Sequence, residues 1–337
     1  MKLLVLGGTQ FVGRHVVRAA LERGHQVTTF TRGRTNPDLF PEVEAIRGDR
    51  DGDHGALRAG TWDAVVDTSA YKPRQAAAAA DALKGRVGRY CLISTASVYA
   101  AFPDHGATED AATHAPPDDP EAAVRPETYG PLKVGCERAI VESFGDEALV
   151  LRPGVLVGPH DPTGRLGYWV ERVAAGGEAL APGDPAHPVQ LLDARDLAAW
   201  LLALLERGSA DVFNASGPAT PLTMGGLLES CRLAAGSDAR FTWADDAFLL
   251  GRGIRPWVDL PLWLPKGVPG PLLDDRKARA AGLRPRPFID TVRDILADDA
   301  LPERAPGGPP RPATLGRDRE RELLRALRGH SGPAETR

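Results

Sequence analysis

Hydrophobic positions in the N-terminal part of the chain fall into short runs separated by amphipathic stretches. The runs predict strands near 3–6, 26–31, 43–46, 63–67, 89–93 and 147–151, and the stretches between them predict helices near 12–23, 54–59, 74–84 and 127–143. In the first helix His15, Val16, Val17, Ala20 and Leu21 form one face, and Gly24 stands where a helix C-terminus favours glycine. Strands alternating with helices imply a parallel sheet covered on both faces. Residues 1–152 are therefore expected to form a doubly wound, Rossmann-like α/β domain.

Beyond that point the alternation loosens. LRPGVLVGPHDPTGRLGYWV is too rich in glycine and proline for a core strand and is expected to wall a pocket, with His160, Asp161, Arg165, Tyr168 and Trp169 as groups able to face a substrate. VQLLDARDLAAWLLALLE predicts a strand running into a helix, with Asp193 or Asp196 as its cap. A strand at DVFNAS, a helix over 222–235, the strand ARFTW and helices near 274–281 and 287–297 complete a smaller C-terminal substrate lobe, residues 153–300, with segments returning to the main domain. GRGIRPWVDLPLWLP, with Arg252, Arg255, Trp257 and Trp263, reads as a substrate cap or a clamp on the main domain. The region 301–337 is expected to hold a proline-glycine linker (302–312), a charged helix and a flexible tail. Leu323, Leu324 and Leu327 give that helix one apolar stripe for docking on its own chain or a neighbour.

The net charge of −4 and a pI near 6.1 argue against nucleic-acid or membrane-surface partners, which need a positive footprint. Cys91, Cys136 and Cys231 are scattered and odd in number, so neither a disulfide framework nor a metal site is expected. No apolar run reaches membrane-spanning length, and Met1 leads directly into the first strand without a signal peptide, so a cytoplasmic chain is expected.

The candidate chemistry begins at KLLVLGGTQFVG, a strand, a glycine turn and a helix start. Such a junction binds anions: glycine lets the backbone approach closely, and the helix N-terminus offers unpaired N–H groups and a favourable dipole. Gly7 and Gly13 occupy the outer positions of a G-x-x-G-x-x-G pattern, with Gln10 in the middle. The second strand ends in Arg32 and Arg34 rather than in an acidic residue, which favours a ribose 2′-phosphate and hence NADP(H), NAD(H) staying possible. Asp49 is placed to receive an adenine amine or to form an ordinary turn. Asp67, Ser69 and Ala70, after the fourth strand, are placed to line the cofactor or to serve packing. The fifth strand ends in Ser94, Thr95, Ser97 and Tyr99. A long acidic, proline-rich loop, 101–126, is a candidate lid.

Tyr129 and Lys133 then stand four apart, on one face of a helix. Carbonyl reduction needs a hydride on carbon and a proton on oxygen, and a phenol serves as the proton donor when a nearby ammonium lowers its pKa. Lys133 would tune Tyr129 and hold the nicotinamide ribose, while Thr95 would hydrogen-bond the substrate oxygen.

GGTQFVG, STASVY, YGPLK and LRPGVLVGP together resemble the extended and atypical short-chain dehydrogenase/reductases, the superfamily of NAD-dependent epimerases and dehydratases. The resemblance covers the N-terminal two-thirds strongly. It implies a catalytic triad of Thr95, Tyr129 and Lys133, and cofactor contacts at Gly7, Thr9, Gln10, Phe11, Val12, Gly13, Arg32, Asp49 and Pro153. Gln10 is similar to the atypical subgroup, which includes chloroplast stem-loop RNA-binding proteins. PGVLVG lacks the asparagine usual in sugar-nucleotide epimerases, and Ala96 stands where a dehydratase would need a carboxylate. The expected function is reversible NAD(P)(H)-dependent hydride transfer at an alcohol or ketone carbon of a small molecule. The alternatives are a sugar-nucleotide epimerase with retained NAD and a redox-silent RNA-binding protein. A homodimer is possible.

Overall fold

A computed structural model describes residues 1–52, 54–298 and 314–330. Seven parallel strands form the central sheet: β1 (Lys2–Leu6), β2 (Gln26–Thr31), β3 (Glu44–Arg47), β4 (Trp62–Asp67), β5 (Val87–Ile93), β6 (Ala148–Pro153) and a late-returning strand, Val212–Ala215, in the order late strand, β6, β5, β4, β1, β2, β3. The strand order reverses beside β1, and in such open sheets ligands bind at the carboxyl ends of the strands at that point.

The period-two rule explains how the layers assemble. In β1, Leu3 and Val5 join a core with Val16 and Val17 of α1 (Phe11–Glu22), whereas Leu4 and Leu6 join Ala76 and Ala80 of α2 (Pro73–Leu83) and Cys136 and Ile140 of α3 (Pro126–Phe144). The expected helix at 54–59 is a short 3-10 turn, Gly55–Ala59. All three cysteines are buried free thiols.

After β6 the chain forms β7 (Val155–Val157), α4 (Arg165–Ala174), β8 (Glu178–Pro182), β9 (Pro188–Val189) and β10 (Leu191–Asp193). It then returns to the main sheet, packing α5 (Ala194–Glu206) beside α1 and adding Val212–Ala215, β11, next to β6. The lobe continues through β12 (Leu222–Thr223), α6 (Met224–Ala235), β13 (Arg240–Ala244), α7 (Asp246–Gly251), α8 (Arg276–Ala280) and α9 (Phe288–Ala297), with β13 parallel to β8.

The charged helix α10 (Arg317–His330) docks on its own chain. Leu323 and Leu324 are buried in the lobe core, and Glu320 is buried against Arg172, whose Nε donates to both carboxylate oxygens at 2.6 and 2.7 Å. The expected linker at 302–312 and the tail after 330 lie outside the described residues. Among the described residues no helix is long and apolar enough to cross a membrane.

Candidate functional site

The loop between β1 and α1 is built for close backbone contact. Gly7 and Gly8 have φ of +107° and +110°, a region that L side chains rarely adopt. A Cβ on Gly7 would lie 2.4 Å from Thr68 Oγ1, and one on Gly13 would lie 2.6 Å from the amide nitrogen of Gly8. The first turn of α1 therefore sits directly on the loop. Gln10 is its N-cap residue without a side-chain cap bond, so the leading amides around Phe11, Val12 and Gly13 have no intrahelical acceptor. Phe11 holds φ of +32°, its ring edge-on to His15, and the Thr9 carbonyl accepts from Asn36 Nδ2 at 3.0 Å. A cradle in which a Cβ would collide, beneath free N–H groups, fits a dinucleotide pyrophosphate.

Arg32 and Arg34 are exposed at the end of β2 and make no hydrogen bond or ion pair among the described residues. A third guanidinium stands with them: Arg47 of β3, in register with Thr31, donates to Thr31 Oγ1 at 2.9 Å and would meet a Cβ on Gly33 at 2.7 Å. The sequence reading missed Arg47, which only strand register brings to this corner. Asp49 is partly buried and closes a turn by accepting the Asp51 amide at 3.1 Å.

Of the two roles expected for Asp67, its surroundings favour the structural one. Its side chain is fully buried and takes Arg50 on both oxygens at 2.8 Å, the Tyr90 hydroxyl at 2.6 Å and the amides of Ser69 and Ala70. A carboxylate so occupied offers nothing to a cofactor; it anchors the carboxyl end of β4. Ser69 spends its hydroxyl on the Leu6 carbonyl, and Ala70 presents its carbonyl to Lys133. Pro153 is buried at the end of β6, paired with Ala215, three strands from the glycine loop.

Thr95, Tyr129 and Lys133 are set around the ends of β4 and β5. The Lys133 ammonium is buried and donates to the carbonyls of Ala70 and Ile93 at 2.7 and 2.9 Å. Thr95 Oγ1 accepts the Ser97 amide at 3.1 Å and faces the Tyr129 phenol. Close approach of α3 makes that pairing: a Cβ on Gly130 would lie 2.1 Å from the Ser97 carbonyl oxygen. The Tyr129 pKa is nevertheless raised, by burial first. Thr95 and the charge of Arg165 act the other way. The cation opposing burial is Arg165, while the Lys133 ammonium lies between the two carbonyls it donates to. Tyr71, 48% exposed, places its ring 6.4 Å from that of Tyr129.

A buried polar relay, also missed from the sequence, fixes this end of the sheet. Ser94 donates to Glu137, Arg152 holds Glu137 through Nε (3.0 Å) and Nη2 (2.7 Å), and Arg152 also donates to the Tyr99 hydroxyl at 3.1 Å. Tyr99 donates in turn to Asn214 of β11 at 2.6 Å. Glu137 lies one helical turn beyond Lys133, which was the available signal.

Several lobe residues expected at the substrate turn inward instead. Trp169 is buried, its Nε1 donating to the Pro261 carbonyl at 2.7 Å, with Tyr168 packed edge-on against it. Asp161 holds the Thr163 hydroxyl and amide at 2.8 Å, and His160 stacks on His15 and meets Asp298 at 3.2 Å. Asp193 caps α5, and Asp196 binds Arg286. Trp263 is buried with Nε1 on Asp246, so much of the aromatic-proline segment clamps the lobe itself. Arg255 pairs with Asp259, and Arg252 lies over the Phe248 ring. Arg165 and Trp257 remain partly exposed.

Against known proteins, residues 3–216 match the model of the NAD dependent epimerase/dehydratase family. A 2'-dehydrokanamycin reductase from Streptomyces kanamyceticus is 34% identical over 62% of this chain and 59% of its own length. The chloroplast stem-loop binding protein of 41 kDa b from Arabidopsis thaliana is 28% identical over 70% of this chain and 63% of its own length. The chain thus spans less than two thirds of either relative. Among solved structures, the Bordetella bronchiseptica enzyme WbmH in complex with NAD+ is similar in fold, with a TM-score of 0.65, 19% identity and coverage of 88% of this chain and 97% of that one.

Proposed function

The chain belongs to the NAD-dependent epimerase/dehydratase family, and we propose that within it this protein is an NADP(H)-dependent oxidoreductase acting reversibly on an alcohol or ketone carbon of a small molecule. The observation that carries this reading is the Tyr129 phenol facing Thr95 beside a buried Lys133, on the sheet edge that also holds the glycine loop. Gly7, Thr9, Gln10, Phe11, Val12 and Gly13 would cradle the pyrophosphate, Asp49 the adenine, and Pro153 would border the nicotinamide end. Arg32 and Arg34, exposed and without an ion pair among the described residues, would take the 2′-phosphate. When bound, the dinucleotide supplies or accepts the hydride.

Tyr129 gives its proton to the substrate oxygen or takes it back, and the Thr95 hydroxyl orients that oxygen. Burial keeps the phenol protonated at neutral pH, which suits the donor role in reduction. An ammonium has three N–H donors. Two on Lys133 are given to Ala70 and Ile93, and the third remains for a ribose hydroxyl. The reductase named in Streptomyces kanamyceticus supports a carbonyl-reducing role and an oxidised sugar as the first substrate class to try.

Two other modes differ in what they would show. An epimerase would keep NAD through purification. Stem-loop binding, named for the Arabidopsis relative, would need a positive footprint that a net charge of −4 does not provide. The test is NADPH consumption over a panel of keto sugars and simple ketones, in the wild type and Tyr129→Phe. Turnover lost in Tyr129→Phe with NADPH binding retained supports the proposal, and equal turnover in both contradicts it.

A further inference from the structure

The long loop 101–126 is held in two different ways. Its first part is fixed by backbone pairing. Ala107, fully buried, pairs its N–H and C=O with Leu272 and Asp274 at 2.9 Å, Thr113 bridges to Tyr99, and the His114 amide donates to the Val98 carbonyl at 2.8 Å. The Glu109 carbonyl takes Arg152 at 3.0 Å, and its carboxylate takes the Asn214 amide at 2.8 Å. Further on, residues 118–121 and 123–127 are exposed. Over 115–124, among the described residues, the hydrogen bonds to other elements run through Glu121 to the start of α2 and through Ala123, whose carbonyl takes Thr128 Oγ1 at 2.6 Å.

The Glu121 contacts are ionic. Lys72 Nζ donates to the Glu121 carbonyl at 2.8 Å and lies 3.4 Å from one carboxylate oxygen, while Arg74 Nε donates to the other at 2.8 Å. Behind them Arg74 and Gln75 both hold Asp51, at 2.8 and 2.9 Å, and Gln75 Oε1 accepts the amides of Tyr71 and Lys72. Tyr71 in turn lies against Tyr129. One clasp thus joins the start of α2 to the stretch that enters α3 at Tyr129. The Glu121 and Arg74 side chains are 47% and 44% exposed. Ion pairs so exposed are individually weak and screened by salt, so this part of the loop is fastened lightly beside a part that is fixed.

We propose that Glu121 is a positioning residue: its clasp on Lys72 and Arg74 is an ionic latch that holds down the strap 115–125, and with it the turn of α3 that presents Tyr129 to Thr95. The inference rests on the reading of Tyr129 as the acid-base group. With the latch closed, the first turn of α3 is tied on both sides, by Thr128 to Ala123 and by Gly130 packed close on Ser97. With it open, the strap is free to lift and the turn frays, because the leading amides of a helix have no intrahelical acceptor.

The test is hydrogen exchange, read by mass spectrometry on the full-length chain, from about 0.05 M to about 1 M salt. It compares the wild type with Glu121→Gln, Glu121→Asp and Arg58→Gln. Arg58 pairs with Asp81 toward the other end of α2 and controls for the loss of an exposed ion pair. Amides over 115–130 should exchange about fivefold faster in Glu121→Gln, and in the wild type at high salt, as for the loss of two exposed ion pairs. Glu121→Asp should recover most of the protection, and Arg58→Gln and the sheet amides should not change. In NADPH-dependent turnover, Glu121→Gln should lower kcat while NADPH affinity stays within about twofold, the split expected of a displaced proton donor. Equal exchange over 115–130 in the wild type and Glu121→Gln overturns the inference. So does faster exchange spread across the whole sheet, or faster exchange over 115–130 with kcat unchanged. Absence of turnover in the wild type is a failure of the Tyr129 reading, and exchange alone then decides whether the latch holds this turn.

Discussion

His15 on α1 offers a quantitative test of how the lobe is fastened to the nucleotide-binding domain. The ring is 6% exposed, its Nε2 lies 3.0 Å from the Pro159 carbonyl, and it stacks on His160 at 6.0 Å. Burial is the main reason its pKa falls from 6.5 to about 4, while the Pro159 bond and Asp193 pull upward and His160 and Arg195 push downward. The folded protein thus holds a neutral His15 where the unfolded chain would already bind a proton. Its contribution to stability is fully present above about pH 6.5, declines as pH falls, and is lost below about pH 4. At about 1.4 kcal/mol per pH unit the whole effect is about 3 kcal/mol, of which about 2 kcal/mol is lost by about pH 5. The side-chain amide introduced by His15→Gln would keep an N–H for the Pro159 carbonyl but cannot titrate. Urea unfolding at about pH 7.5 and about pH 5 is the assay, and destabilisation common to other groups cancels in the comparison. The wild type should lose about 2 kcal/mol more than the variant between the two conditions. Equal losses would refute the assignment of a buried neutral imidazole at this joint.

Three other sites carry expected outcomes of their own. Gly13→Ala should weaken NADPH binding about tenfold or more with a smaller effect on stability, because the new methyl meets the Gly8 backbone at 2.6 Å; fluorescence titration and a thermal melt separate the two. Glu137→Gln should destabilise the fold by about 3 kcal/mol in urea, since it leaves Arg152 buried without its counter-charge. The raised Tyr129 pKa predicts that kcat/KM for alcohol oxidation climbs toward alkaline pH, whereas ketone reduction stays level through neutrality; a maximum for oxidation below neutral pH would contradict it.

The sequence carried much of the nucleotide-binding half because that half is periodic. The apolar runs of β1, β2, β4 and β5 and the inward faces of α1 and α3 repeat every two or three to four residues, and burial follows that repeat. Tyr129 and Lys133 could be placed on one helix face for the same reason. What stayed hidden depends on residues distant in sequence. Asp67 looks like a ligand in a linear reading, and only the fold brings Arg50 and Tyr90 onto it. Arg47 joins Arg32 and Arg34 through the β2–β3 register, and Glu137 finds Arg152 on another element. In the lobe, proline and glycine break the period, so nothing local distinguished Trp169, which is core, from Trp257, which lies under Arg165. The apolar stripe of α10 signalled docking, but its buried partner Arg172 lies far away in the chain.

Central to the proposed chemistry is a nicotinamide dinucleotide seated at the glycine loop with its 2′-phosphate among Arg32 and Arg34. The decisive measurement is parallel titration of the purified protein, and of an Arg32→Ser/Arg34→Ser variant, with NADPH and NADH, after mass analysis of any nucleotide carried through purification. The expected result is nucleotide-free protein that binds NADPH at least about tenfold more tightly than NADH, with that preference lost in the variant and NADH affinity little changed. Retained NAD, or equal affinity for the two cofactors, would contradict the NADP(H) assignment, and binding of neither would contradict the hydride-transfer function itself.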